Sequence, residues 1–182
     1  MKDLTEHFVS GEQVFDGELL KVYRDKVRLP DGSMGGREYI RHPGAVAIVP
    51  LFDDGRVLLE RQFRYPHRRE FIEIPAGKVE QGEPHLETAK RELLEETGYV
   101  AADWRPLGII HTAIAYTNEA IELFVAKKLS LQERKLDVGE FLEILLVDSK
   151  EAIQMIRDGR ITDAKTVAAL LLVEKFGAER PA

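Results

Sequence analysis

Two periodicities divide the chain. Residues 18–29 mix β-branched and charged side chains and predict a strand. Pro30-Asp31-Gly32-Ser33 is a strong turn, and residues 36–41 predict a second strand. Together they form an antiparallel hairpin outside the main body, so the boundaries are drawn at 1–40 for this extension and 41–182 for the principal domain. Residues 44–52, GAVAIVPLF, are a continuous apolar run of the kind found in a strand buried on both faces. Asp53-Asp54-Gly55 turns the chain, residues 56–65 run back, and residues 71–74 follow. These segments read as core strands of one sheet.

The period then changes. Residues 84–98 predict a helix, with Pro84 at the first helical position and Gly98 as its C-terminal cap. Leu86, Ala89, Leu93 and Thr97 recur at helical spacing and define its inward face. Strands are expected over 104–112, 120–128 and 140–147. Helices are expected over 149–158 and 163–176, each preceded by a capping Asp, Ser or Thr. Strands with helices interleaved late indicate a mixed α/β layered domain.

Composition narrows the chemistry. Among 182 residues, 44% are hydrophobic and 32% charged, enough for a core and a solvated surface, which excludes an intrinsically disordered chain. The absence of cysteine removes disulfides, zinc-thiolate sites and thiol nucleophiles. A bound metal must therefore be held by oxygen or imidazole. A net charge of −6 argues against a nucleic-acid binder. No apolar run reaches the ~18 residues of a membrane span, and MKDLTEHFVSGEQV lacks a secretory pattern. The expectation is a cytoplasmic protein with no membrane partner. The five histidines, at 7, 42, 67, 85 and 111, show no metal-binding spacing and read as isolated surface or core residues.

One segment departs from ordinary helix chemistry. Gly77-Lys78-Val79-Glu80-Gln81-Gly82-Glu83 leads into a helix bearing Arg91-Glu92-Leu93-Leu94-Glu95-Glu96-Thr97-Gly98. At about 100° per residue, Glu92, Glu95 and Glu96 share one flank beside the apolar stripe. Like charges at such spacings cost about 0.2–0.5 kcal/mol per pair on an exposed helix. Near a helix C-terminus they also oppose the macrodipole. Arg91 alone cannot neutralise three carboxylates. A solvated acidic face is the bland alternative, but the preceding glycine loop and the inward stripe favour a hard cation such as Mg²⁺ or Mn²⁺. Cations so held commonly serve substrates rich in phosphate oxygens.

At Gly77, Glu83, Arg91, Glu92, Leu93, Glu95, Glu96 and Gly98 the sequence resembles the Nudix hydrolase signature, with Tyr99 where an aliphatic residue is usual. Over residues 15–175 it is similar to the group that cleaves ADP-ribose and related nucleoside diphosphate sugars. Arg61-Gln62-Phe63-Arg64, Glu73-Ile74-Pro75-Ala76-Gly77 and Gly159-Arg160-Ile161-Thr162-Asp163-Ala164-Lys165-Thr166 carry that similarity.

The resemblance implies a Nudix-type α/β/α sandwich around a mixed sheet, with the small N-terminal antiparallel β extension serving a homodimer. It implies that the Ala76 carbonyl, Glu92 and Glu96 ligate one to three Mg²⁺ or Mn²⁺ ions, with Glu95 assisting. Glu83 and Arg91 would pair to fix the loop. Arg64 would contact the diphosphate, Glu73 would help hold the nucleoside end, and Arg41 joins the substrate-binding candidates. Glu140 is the preferred general base or further metal ligand, Asp137 the reserve, and Glu119 a third candidate. Where the group usually has Ser-Pro-Gly, this chain reads Ala113-Ile114-Ala115, which leaves the sugar open among ADP-ribose, other ADP-sugars, GDP-mannose and dinucleotides. The implied reaction releases a nucleoside monophosphate and a sugar phosphate. A non-catalytic nucleotide-sugar sensor and a subunit-contact protein are the rivals from other classes.

Overall fold

The computed structural model describes residues 2–134 and 141–177. The backbone divides into two compact units, one of residues 1–44 with 111–119, the other of 45–110 with 120–182.

The first unit is built on a three-stranded antiparallel sheet, β1 (His7–Asp16), β2 (Lys21–Arg28) and β3 (Met34–Ile40), in the order β1-β2-β3. The hairpin expected from the sequence is β2–β3. β1 carried no such signal, because all ten of its positions are exposed and no buried side demands an alternating pattern. Residues 111–119 join this unit through backbone and side-chain hydrogen bonds. Ile40 N–H donates to Tyr116 O at 2.8 Å, and His42 N–H donates to Asn118 Oδ1 at 2.7 Å.

The second unit contains two sheets. β4 (Ala45–Pro50), β7 (Ala76–Lys78), β8 (Tyr99–His111) and β9 (Ala120–Leu131) form a mixed sheet ordered β7-β4-β9-β8. β4 runs parallel to β9 and antiparallel to β7. β5 (Arg56–Arg64), β6 (Arg69–Glu73) and β10 (Leu142–Asp148) form an antiparallel sheet ordered β10-β5-β6. The expectation of one sheet is therefore corrected. β4 and β5 do not pair as strands: both edges of β4 are taken by β7 and β9, and Leu51, just after β4, forms a single bridge with Val57.

β4 is buried at every position, and its pleat divides the core. Val46 and Ile48 pack with Ala89 and Leu93 of helix α1 (His85–Thr97) and with Phe124 and Ala126 of β9. Ala45, Ala47 and Val49 point the other way. They meet Leu123, Val125, Val57 and Leu59, together with Ala152 and Met155 of α2 (Ser149–Arg157) and Ala169 and Leu170 of α3 (Ala164–Phe176). The result is the α/β/α sandwich around a mixed sheet. Each fully buried aliphatic side chain contributes about 1.5–3 kcal/mol.

Helix ends follow their local chemistry. Asp148 caps α2 by accepting from Lys150 N–H, and Asp163 caps α3 by accepting from Thr166 N–H. Pro84 stands one place earlier than expected: extended at φ −66°, ψ 139°, it is the N-cap of α1, which ends at Gly98 with φ 76°. β8 likewise starts at Tyr99 rather than 104, directly after that cap. Among the described residues no helix is long and apolar enough to cross a membrane.

Candidate active site

The loop before α1 is folded back onto the helix by one carboxylate. Glu83 N–H donates to Glu80 O at 3.0 Å across a turn in which Gly82 takes φ 80°, a left-handed value that favours glycine. The Glu83 carboxylate then accepts from Thr88 Oγ1 at 2.8 Å and from Arg91 Nε and Nη2, both at 3.1 Å. Arg91 and Thr88 together hold its carboxyl down at about 2, against an ordinary 4.5. The pair expected from the sequence forms, and Thr88, which the sequence did not single out, completes it.

Arg91 does more than pair with the loop. Its Nη1 donates to Glu92 Oε1 at 2.9 Å and to Glu95 Oε2 at 3.0 Å, and these acidic partners raise its pKa further. One guanidinium thus touches Glu83, Glu92 and Glu95, leaving the cluster with excess negative charge.

Helical geometry places Glu92 and Glu96 one turn apart on the side of α1 that meets β7. Glu96 is buried, and its Oε2 accepts from Ala76 N–H at 3.0 Å. The Glu92 carboxylate lies against the Gly77 backbone, where a Cβ on residue 77 would come within 1.9 Å of its Cδ. The glycine is required here for space, because its φ is not left-handed. Ala76, Gly77, Glu92 and Glu96 are thereby assembled from β7 and α1, with Glu95 beside them through Arg91. Among the described residues no group of three or more His, Asp or Glu side chains converges in metal-holding geometry. The side-chain oxygens that meet the backbone at residues 76–77 are those of Glu92 and Glu96.

A second polar cluster adjoins the first. Arg64, at the end of β5, donates through Nε to Glu73 Oε1 at 2.8 Å and through Nη2 to Glu73 Oε2 at 3.0 Å. Lys165 Nζ also donates to Glu73 Oε2 and reaches Asp163 Oδ2 at 3.0 Å. Burial works to raise the Glu73 pKa, yet hydrogen bonds and charge from Arg64 and Lys165 hold it below the usual carboxylate value. Glu73 is the main cause of a raised Arg64 pKa, to which the charge of Glu96 adds, so the two clusters feel one another. Thr166 Oγ1 accepts from Ile74 N–H at 3.0 Å and donates to Asp163 Oδ2 at 2.6 Å, fastening the start of α3 to the segment that leads into Ala76.

Of the remaining candidates, two belong to the first unit and two are not among the described residues. Arg41 belongs to the first unit, its guanidinium 4.0 Å from the centre of the Tyr23 ring. Glu119 is in the same unit and accepts from Thr112 Oγ1 at 2.6 Å, with His42 Nε2 at 3.6 Å. Asp137 and Glu140 fall outside the described residues. The histidines are not all isolated as expected: besides His42, His85 Nδ1 lies 2.7 Å from Glu122 Oε2, joining the start of α1 to β9. A cavity of about 400 Å³ lined by Leu51, Asp53, Lys127 and Leu170 shares none of the site residues.

Sequence reasoning gave no role to Lys165 or Thr166, although both stand in the quoted Asp163-Ala164-Lys165-Thr166 run. An acidic helix cap followed by a lysine and a threonine is a local signal, but the partners of that lysine and threonine are 92 residues away.

Comparison with known proteins places these features in context. A family model described as NUDIX domain matches residues 41–170. An ADP-ribose pyrophosphatase of Bacillus subtilis (strain 168) is 40% identical over 172 residues, 93% of each chain. A methanol dehydrogenase activator of Bacillus methanolicus is 41% identical over 167 residues, 91% of this chain and 90% of that one. A crystal structure of an ADP compounds hydrolase superposes with a TM-score of 0.87 at 26% identity, covering 97% of this chain and 96% of the other.

Proposed function

The chain belongs to the Nudix hydrolase family, and from that premise we propose that it cleaves the diphosphate of ADP-ribose or a closely related nucleoside diphosphate sugar. The products are a nucleoside monophosphate and a sugar phosphate. The observation that carries this reading is the seating of Glu92 on Gly77 and of Glu96 on the Ala76 N–H. It gathers hard oxygen donors beside the Arg64–Glu73 pair.

The donors fit a hard divalent cation, Mg²⁺ or Mn²⁺. All are oxygens, and the missing side chain at residue 77 leaves the Glu92 carboxylate room against the backbone. Glu92, Glu96 and the Ala76 carbonyl would hold one to three such ions, with Glu95 assisting. When bound, the ion supplies Lewis acidity toward phosphoryl oxygens and acidifies a coordinated water. The protein's own part is orientation. Arg91 and Glu83 keep α1 and its preceding loop in one arrangement, Glu96 holds Ala76, and Arg64 presents a planar cation to the diphosphate. The general base expected from the sequence is Glu140, with Asp137 in reserve.

A homodimer is part of the same reading. Phe8, Val9, Val14 and Phe15 of β1 are exposed apolar side chains that a second copy would cover. Sedimentation giving a mass near twice 20.7 kDa is the expected result.

Incubation with ADP-ribose and Mg²⁺ should release AMP and ribose 5-phosphate, and a chelator should abolish the release. Binding of ADP-ribose without product would instead identify a sensor. A panel containing GDP-mannose and dinucleotides would rank the sugars.

A further inference from the structure

Glu73 is tied closely to the protein around it. It takes three donors from two cations, Arg64 Nε, Arg64 Nη2 and Lys165 Nζ, and its side chain is only 6% exposed. All three donors come from the protein's own side chains. Lys165 is itself 12% exposed and also donates to Asp163, whose Oδ2 caps α3 and takes the Thr166 hydroxyl. Arg64, by contrast, is 44% exposed. Its Nε–Nη2 edge is gripped by Glu73, which leaves Nη1 outside the clamp.

We propose that Lys165, acting through Glu73, is a positioning residue for Arg64: it fixes the Glu73 carboxylate so that the guanidinium is presented to the diphosphate in one orientation. The inference rests on the reading that the diphosphate is the ligand of Arg64. A long arginine side chain gains affinity for an anion when its rotamers are already restricted. Glu73 supplies the restriction, and Lys165 keeps Glu73 charged and in place in a setting where burial alone would favour its neutral form. On that reading Arg64 would hold the diphosphate alike before and during reaction, so losing its orientation would raise KM more than it lowers kcat. A lysine that merely neutralised a buried carboxylate would change thermal stability and leave KM alone.

The test is a double-mutant cycle between Lys165→Met and Arg64→Ala, read by steady-state kinetics with ADP-ribose and Mg²⁺ and by calorimetric titration with inorganic pyrophosphate. Lys165→Met is expected to raise KM about tenfold with kcat within about twofold of wild type. Lys165→Arg should recover part of the loss, and Lys165→Met should add nothing in the Arg64→Ala background. Should Lys165→Met fail to fold by circular dichroism, Lys165→Gln carries the same expectation. An unchanged KM, or a rise that persists undiminished without Arg64, overturns the proposal. If the wild-type protein cleaves none of the nucleoside diphosphate sugars, the proposed function fails, and pyrophosphate titration still decides on Lys165. Weaker binding that depends on Arg64 supports its role, and equal binding removes it.

Discussion

The Glu92 carboxylate occupies the volume that a side chain on Gly77 would need: a Cβ there would stand 1.8 Å from Glu92 Oε1. The obstructing atoms are the tip of a flexible side chain, so Gly77→Ala displaces the carboxylate rather than the backbone. Stability is expected to fall by about 1 kcal/mol, whereas turnover falls about 100-fold. Urea unfolding and ADP-ribose hydrolysis on the same preparation check both halves. Near-normal turnover would show that the seat of Glu92 is immaterial.

Glu96→Gln separates charge from shape. A glutamine oxygen can still accept from Ala76 N–H, as Glu96 Oε2 does at 3.0 Å. The fold and the unfolding midpoint are therefore expected to stay close to wild type, while kcat drops by about 100-fold or more. An active Glu96→Gln protein would remove the carboxylate from the mechanism.

The Glu83 carboxyl gives a pH signature. Its folded-state value of about 2 lies below the ordinary 4.5 because of Arg91 and Thr88. A depressed carboxyl contributes stability that is complete above pH 4.5 and disappears as pH falls toward 2. Denaturant titrations across that window should show a shallower loss of stability in Glu83→Gln than in wild type. Parallel curves for the two proteins would contradict the assignment.

Thr166→Val removes a hydroxyl that serves two partners while keeping the side-chain volume. Thr166 is fully buried, and the change leaves Ile74 N–H without its acceptor and Asp163 with one donor fewer. A loss of about 1–3 kcal/mol follows, measured by urea unfolding. Turnover should also fall, since Ile74 leads into Ala76.

Much of this was legible in the sequence, and the reasons divide cleanly. The Glu92–Glu95–Glu96 crowding was visible because helical period alone places those residues together, and Glu83 and Arg91 meet across a short loop. β4 was visible because burial on both faces writes an unbroken apolar run. β1 was not, because exposure on both faces imposes no pattern. The split into two sheets was hidden because it depends on which strands claim the edges of β4, a competition decided by β7 and β9 from distant parts of the chain. The role of Lys165 was hidden for the same reason. Its aspartate neighbour, Asp163, is local, but Glu73 reaches it only once α3 has packed against the unit's core.

The stretch from Ile74 to Ala76 hangs between two anchors, with Thr166 of α3 gripping one amide and Glu96 of α1 gripping the other. Substitutions in two helices that sit on opposite sides of the sheet therefore converge on one short piece of backbone. Natural variation at position 166 should be constrained by what stands at position 96, and engineering either helix alone will be felt along that backbone.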